Sequence, residues 1–288
     1  MNLLLQQVVN GLILSSTYVL IATGLMLIFG VLSAPSLAHG EFFMLGAFAT
    51  FAFEGFGLPF VIALLIAAVA LGIGGIVLDV LTFRPYPASA HLPMMLGSFG
   101  ISTIMVNVAT IIWTSDPQSV SMPINGVLQL GPVRIDYYEL VMIVVTALLI
   151  TAMHVMLQHT RIGLAIRVMA ANKSAAMLVG ISETRVRSIV FALGCAFAAV
   201  AGALFLGSQP ITTDMGTSPM VKSFIIIVIG GIGKLRGAVL AALLLGMVEV
   251  FVSGYLATTY RDFVTFGILV LILIFRPEGL FGAKTVRD

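Results

Sequence analysis

The feature that most limits what this chain can fold into is its long apolar runs, which contain almost no charge. The runs at 61–81 and 238–252 each hold one acidic residue and no basic residue. Across all 288 residues, only 9% are charged and 60% are hydrophobic. A soluble domain carries charge on about a quarter of its residues, so a globule in water could not cover its surface with so few charges. The chain is therefore predicted to fold in a lipid bilayer.

The pattern within these runs favours helices over a β-barrel. A membrane barrel strand alternates apolar and polar residues over about ten positions, whereas these runs are apolar on every side. The predicted fold class is all-α, a polytopic transmembrane helical bundle of about 8–10 spans. The predicted spans, bounded by polar or Gly/Pro breaks, are 11–31, 38–53, 59–80, 94–113, 138–158, 188–207, 219–233, 238–256 and 262–275. The second, seventh and ninth are short for a bilayer that requires about 20 residues, so one of them could be re-entrant or broken.

The distribution of basic residues predicts the orientation of the bundle, because cytoplasmic loops carry an excess of Lys and Arg. With a cytoplasmic C-terminus, nine spans place only Arg134 and Arg261 clearly outside, with Lys222 near the outer end of a short span. The basic residues then on the cytoplasmic side are Arg84, Arg161, Arg167, Lys173, Arg185, Arg187, Lys234, Arg236, Arg276, Lys284 and Arg287. We therefore predict a cytoplasmic C-terminus and, for nine spans, an N-terminus outside.

Two hydrophilic loops separate the spans. The outer loop, 114–137, holds three prolines and two glycines and is predicted to form an irregular or hairpin-like cap. The inner loop, 159–187, carries five of the fourteen basic residues. We call this inner segment the docking loop.

One short amphipathic helix is predicted inside the docking loop, from Gly163 to Val179. Gly180 follows as a C-terminal cap, since glycine readily adopts the left-handed conformation. One apolar stripe at spacings of four, three, four and three is formed by Leu164, Val168, Ala171, Ala175 and Leu178. This stripe either lies on anionic lipid or docks a cytoplasmic partner, and its small side chains favour docking.

Several motifs then occur in an order that resembles one family. Thr160–Ile181 is similar to the cytoplasmic loop of the branched-chain amino acid ABC transporter permease family, of the LivH type. Within it, Ser174-Ala175-Ala176 and Gly180 resemble the E-A-A-x-x-x-G motif of importer-type ABC permeases. The other similar segments, in chain order, are Gly24–Leu32, Ala38–Ala47, Phe83–Pro85, Val228–Ala238 and Phe275–Gly282. Two positions depart from the family pattern: Ser36 stands in place of a common Asn, and Ser174 in place of an acidic residue.

The resemblance implies a function and a set of partners. It implies that residues 1–288 form a single transmembrane permease domain of a bacterial inner (plasma) membrane importer. The implied partners are a second permease subunit, usually a different chain, two cytoplasmic ABC ATPase subunits and a periplasmic solute-binding protein. The implied ATPase-docking residues are Arg161, Gly163, Arg167, Asn172, Ser174, Ala175, Ala176 and Gly180.

The chain itself is not expected to be an enzyme or to bind a cofactor. A phosphate-binding loop requires G-x-x-x-x-G-K-[ST], but Gly233-Lys234 is followed by Leu235 and has Val228 at the first glycine position. ATP is therefore expected on the partner ATPases. The small net charge of +2 does not suggest a nucleic-acid partner.

Polar residues inside spans are candidates for the transport pathway. The chosen candidates are His39, Gly40, Glu41 and Glu249. The first three either form a helix end able to bind a carboxylate or simply cap a short span. Glu249 is either a buried hydrogen-bonding group, a contact with the partner permease or a pathway residue. Glu54 and Asp79, which lie near span ends, are expected at the membrane interface.

Two other classes of function would require different sequence features. An ion-coupled secondary transporter of a small polar solute would need paired, buried ionisable residues, and Glu249 is the one solitary candidate. A membrane enzyme would need clustered acid–base or metal-binding groups. The four histidines include no convincing ligand pair, so no metal site is predicted.

Overall fold

The fold is known from a computed structural model, which describes residues 2–32, 34–86, 90–118, 126–130, 133–276 and 279–281. The helices are α1 Asn2–Leu32, α2 His39–Gly55, α3 Phe60–Leu78, α4 His91–Trp113, α5 Tyr137–His159, α6 Arg161–Ala171, α7 Lys173–Leu178, α8 Glu183–Phe205, α9 Thr217–Gly230, α10 Leu235–Tyr255 and α11 Tyr260–Phe275. A π-helical turn, Asp79–Phe83, continues α3. Lys284 and Arg287, which entered the orientation argument, lie outside the described residues, as do 277, 278 and 282 of the last motif.

The predicted spans are confirmed as helices. Each of the nine coincides with one of α1–α5 or α8–α11. Within the described ranges, six helices are long and apolar enough to cross a membrane: α1, α3 with its π-helical turn, α4, α5, α8 and α10. The remaining three, α2, α9 and α11, are 17, 14 and 16 residues long. They are the three spans that the sequence predicts to be short.

The outer loop contains the predicted hairpin. Strand β1, Val127–Leu130, pairs antiparallel with β2, Val133–Asp136. The Gln6 side chain holds this hairpin against α1, because it donates to the Arg134 carbonyl and accepts from the Arg134 amide, both at 3.0 Å.

Helices α1 and α8 form the centre of the bundle, and small residues let them touch. A Cβ added at Gly194 would lie 2.8 Å from the carbonyl oxygen of Gly24, and a Cβ at Gly24 would clash with the Gly194 carbonyl in turn. Gly46 of α2 meets the Ala199 backbone of α8 in the same way. Helices in lipid gain little from the hydrophobic effect, so such close backbone approach is a main source of their association.

The helix contacts repeat between the two halves of the chain. The contact of α1 with α10 corresponds to the contact of α8 with α3. In the same way, the contact of α1 with α9 corresponds to the contact of α8 with α2. The contact of α2 with α3 likewise corresponds to that of α9 with α10. Finally, α4 lies beside α2 as α11 lies beside α9. This reciprocal pattern indicates two equivalent structural halves, an arrangement common in transporters. It is visible in the helix contacts, whereas the sequence itself shows no convincing repeat.

The short helix α2 begins deep inside the bundle. The His39 side chain at its start lies 3.1 Å, through Nε2, from the carbonyl oxygen of Ile21. Ile21 is eleven residues before the end of α1, roughly 16 Å at 1.5 Å per residue, which is about half the thickness of the hydrocarbon core. Gly40 of α2 also touches Gly216, the residue before α9. Both short helices therefore start where they meet, inside the membrane region.

Candidate functional site

The docking loop forms two helices, so the prediction of one continuous helix from Gly163 to Val179 is wrong. Helix α6 ends at Ala171, and α7 begins at Lys173. Between them, Asn172 is extended, with φ −156° and ψ 104°, and its Oδ1 accepts a hydrogen bond from the Ala175 amide at 2.9 Å. Asparagine is among the best N-cap residues, so its side chain stabilises a new helix start. The predicted cap at Gly180 is confirmed by its φ of 82°.

The two faces of these helices have different surroundings. Gly163, Ile166 and Met169 are buried against the bundle, and a Cβ at Gly163 would collide with the Leu157 backbone. The predicted apolar stripe lies on the other side, where Leu164 is 54% exposed and Leu178 is 88% exposed. Val168 packs partly against the core, but the other residues of the stripe are exposed and free to contact another molecule.

The predicted docking residues lie mostly on this free surface. Gly163 and Ala176 are buried and shape the loop. The exposed ones are Arg161, Arg167, Asn172, Ser174, Ala175 and Gly180.

An ion-pair chain, which we call the relay, joins α7 to the buried end of α3. Lys173 pairs with Glu183, and Arg187 Nη1 lies 3.4 Å from the same Glu183 oxygen. Arg187 Nη2 then lies 2.7 Å from Oδ1 of Asp79, whose other oxygen is 3.1 Å from Nε of Arg84. The docking loop is thus connected electrostatically to a carboxylate inside the bundle.

Asp79, predicted to lie at the membrane interface, faces into the protein. Its side chain is fully buried, and two guanidinium groups neutralise it, as a carboxylate removed from water requires. It begins the π-helical turn, in which the Arg84 amide donates to the Asp79 carbonyl at 2.9 Å. Such turns are often found at functional sites. The role of Arg187 was missed because it is 108 residues away in sequence.

The candidates His39, Gly40 and Glu41 lie together at the start of α2, and all three are buried. One Glu41 oxygen accepts a hydrogen bond from Ser102 at 3.0 Å, and the other is close to Gly216. The starts of α2 and α9, each with partial positive charge, therefore meet beside a carboxylate that the chain itself supplies. This geometry supports a packed junction of two half-length helices.

Glu249 lies in a different place, within a buried polar cluster. It accepts hydrogen bonds from Tyr18 at 2.7 Å and from Thr265 at 2.9 Å. Lys222 Nζ lies 3.0 Å from its Oε2, and Nε of Arg261 donates to the same oxygen. The interpretation of Glu249 as a solitary ionisable group is wrong. Lys222 and Arg261 were missed as its partners because they come from α9 and α11, whereas Glu249 lies on α10.

A polar cavity of about 640 Å³ lies beside this cluster, at the end of the bundle opposite the docking loop. We call it the far-end cavity. Its walls come from α1, the segment before α9, α9, α10 and the start of α11. The charged residues that line it are Asp214, Lys222 and Arg261.

Helix α4 is the least covered of the long helices. Only 11% of its most apolar stretch is buried, against 83% for α1. Its exposed face carries the polar residues Thr103 and Asn107, which hydrogen-bond to carbonyl oxygens of α4 itself. An apolar span with polar groups on its open face is typical of a helix that packs against another protein in the membrane.

The chain is similar to known proteins over nearly its whole length. Residues 7–273 match the family described as the permease component of branched-chain amino acid transport systems. The chain is 33% identical to the high-affinity branched-chain amino acid transport system permease protein BraD of Pseudomonas aeruginosa, over 98% of this chain and 97% of that protein.

Two further relatives extend this result. The permease protein LivH of Escherichia coli strain K12 is also 33% identical, over 98% of this chain and 97% of that protein. The permease protein LivM of the same strain is 25% identical, over 93% of this chain and 68% of that protein. No solved structure matches the chain. Because the family match covers residues 7–273 and the 33% identity extends over 98% of the chain, this chain belongs to the family of branched-chain amino acid transport permeases.

Proposed function

We propose that this chain is a membrane-spanning permease subunit of an ATP-driven ABC importer that takes up branched-chain or related amino acids. The family match supports transport, and BraD and LivH are named as branched-chain amino acid permeases. The observation that supports ATP coupling is the relay, because it ties an exposed loop to a buried residue at the end of a long helix. The chain would lie in a bacterial inner membrane with its C-terminus in the cytoplasm.

The ATPase partners would act through the docking loop. Two cytoplasmic ATPase subunits would bind ATP and contact the exposed face that carries Arg161, Arg167 and Ala175. When they close, α6 and α7 would shift. The relay would pass this shift to α3 and α8, whose packed ends would move between two discrete arrangements. ATP would be bound and hydrolysed on the ATPase subunits, and the permease would bind no cofactor of its own.

Two more partners complete the proposed importer. A second permease subunit would cover the open face of α4. LivH and LivM of one strain are both similar to this chain and carry different names, which favours a different chain as this second permease. A periplasmic solute-binding protein would deliver the amino acid to the end of the bundle opposite the docking loop.

The proposal is tested by reconstituting the chain with its second permease, its ATPases and its binding protein in liposomes. We expect uptake of radiolabelled leucine that requires ATP. Ala175→Arg, on the exposed face of α7, should abolish uptake while the chain stays in the membrane. Ala175→Ser keeps a small side chain at the same exposed position, is the matched control and should transport normally. Normal ATP-driven uptake by Ala175→Arg, or uptake driven by an ion gradient without the ATPases, would overturn the proposal.

A further inference from the structure

The far-end cavity combines features that a site for a small charged solute requires. Its volume of about 640 Å³ lies within the range of roughly 300–1,000 Å³ that is usual for small-molecule sites. Amide and hydroxyl groups from Asn10, Gln209 and Ser253 share its wall with apolar side chains such as Leu14 and Val250. Polar groups are rare inside membrane bundles and usually mark a solute pathway.

The cavity wall at α9 and α11 has a surplus of positive charge. Lys222 and Arg261 share one buried carboxylate, that of Glu249. Asp262 is a second acid near Lys222, at 3.5 Å, but it does not line the far-end cavity. Two cations therefore face the cavity in front of one buried anion.

These two cations retain hydrogen-bonding capacity. A guanidinium group has five N–H donors and an ammonium group has three. Arg261 uses Nε for Glu249 and Nη2 for Tyr18, and Lys222 uses one donor for Glu249. The donors left over suit a carboxylate, which binds arginine through charge-assisted hydrogen bonds.

Asp214 supplies the opposite charge. It lines the same cavity from the segment before α9, and it is exposed. A cavity with two cations, a separate carboxylate and an apolar wall matches the three parts of a free aliphatic amino acid.

We propose that the far-end cavity binds an amino acid as a zwitterion, an assignment that rests on the proposed transport function. The carboxylate of the amino acid binds Lys222 and Arg261, its ammonium group binds Asp214, and its side chain lies against Leu14 and Val250. The cavity thus receives the solute on the side opposite the ATPases, and Glu249 holds the two cations in place from behind.

The test uses site-specific labelling of the assembled transporter. Cys195 is the one cysteine of the chain and is buried, so Cys195→Ala with Ser253→Cys places a single reporter thiol in the cavity wall. We expect L-leucine to slow its labelling by a charged thiol reagent several-fold. The carboxylate alone (4-methylpentanoate) and the amine alone (3-methylbutylamine) should protect much less.

Variants assign the charged contacts. Asp214→Asn should weaken protection by leucine and leave protection by 4-methylpentanoate unchanged. Asp116 is another exposed acid near the same end of the bundle, so Asp116→Asn is the matched control and should behave like the parent.

A parent transporter that takes up leucine while leucine leaves labelling unchanged would overturn the cavity assignment and leave the transport function intact. Equal leucine protection in Asp214→Asn and the parent would also overturn it. Absence of ATP-dependent uptake by the wild-type complex is the separate result that counts against the proposed function.

Discussion

Arg187 donates two hydrogen bonds to a single oxygen of Asp79, from Nε at 3.2 Å and from Nη2 at 2.7 Å. The pair joins the start of α8 to the end of α3, and both side chains are buried. In a bilayer or a protein interior, a charge left without its partner is far more costly than the absence of both charges. The pair therefore gives a clear prediction about stability.

Arg187→Ala should lower the free energy of unfolding by about 1–3 kcal/mol, because Asp79 loses the hydrogen bonds from Arg187 but keeps the ion pair with Arg84. The double variant Arg187→Ala with Asp79→Asn should recover part of this loss. Denaturant unfolding of the purified chain in detergent measures both. Arg185→Ala, an exposed arginine two residues earlier, is the control. A loss in Arg187→Ala no larger than that in the control would contradict a structural role for the pair.

The break between α6 and α7 depends on the Asn172 side chain. Asn172→Ala removes the acceptor that binds the Ala175 amide, and loss of an N-cap costs about 0.5–2 kcal/mol. We expect faster protease cleavage within the docking loop and reduced uptake by the reconstituted transporter. Asn172→Ser keeps a capping oxygen and should resemble the parent. If the serine and alanine variants behave alike in both assays, the cap does not hold the loop.

The contact between α1 and α8 tolerates no side chain at its centre. A Cβ in Gly24→Ala would meet the Gly194 backbone, and such overpacking costs about 1–3 kcal/mol. Gly267→Ala on α11 has open space around its Cβ, so it should be neutral or gain up to about 1 kcal/mol from better helix propensity. Thermal unfolding in detergent compares the two. The close packing of α1 on α8 would be refuted by a Gly24→Ala variant as stable as Gly267→Ala.

The open face of α4 is predicted to bind the second permease. Thr103→Trp should prevent co-purification of the two permeases, because a large side chain separates surfaces that need close approach. Thr151→Trp on α5 is a matched control: both threonines are exposed and bond only to the carbonyl four residues earlier. Both variants should fold alone. Retention of the partner by Thr103→Trp would place the interface elsewhere.

The sequence was sufficient to predict nine apolar helices, six of which are long enough to cross a membrane, because a bilayer requires long apolar segments and their composition records this directly. It also predicted the short lengths of α2, α9 and α11 and the cap at Gly180. These features depend on neighbouring residues. They can therefore be read from a local window of sequence.

The polar clusters could not be predicted in the same way. Lys222 and Arg261 reach Glu249 only because α9, α10 and α11 pack side by side, and no local pattern encodes that packing. The depth at which α2 starts likewise depends on the contact between His39 and Ile21. The break at Asn172 was missed for a different reason: the alanine-rich flanks favour a continuous helix, and one side-chain hydrogen bond overrides them.

The bare face of α4 also has a consequence for the stability of the chain on its own. A newly inserted chain that has not met its second permease presents Thr103 and Asn107 to hydrocarbon. Polar groups that face lipid are costly, so the chain alone is expected to be less stable in a bilayer than the same chain in a complex that covers this face. The proposed second permease would then stabilise the fold of α4 in the membrane as well as take part in transport.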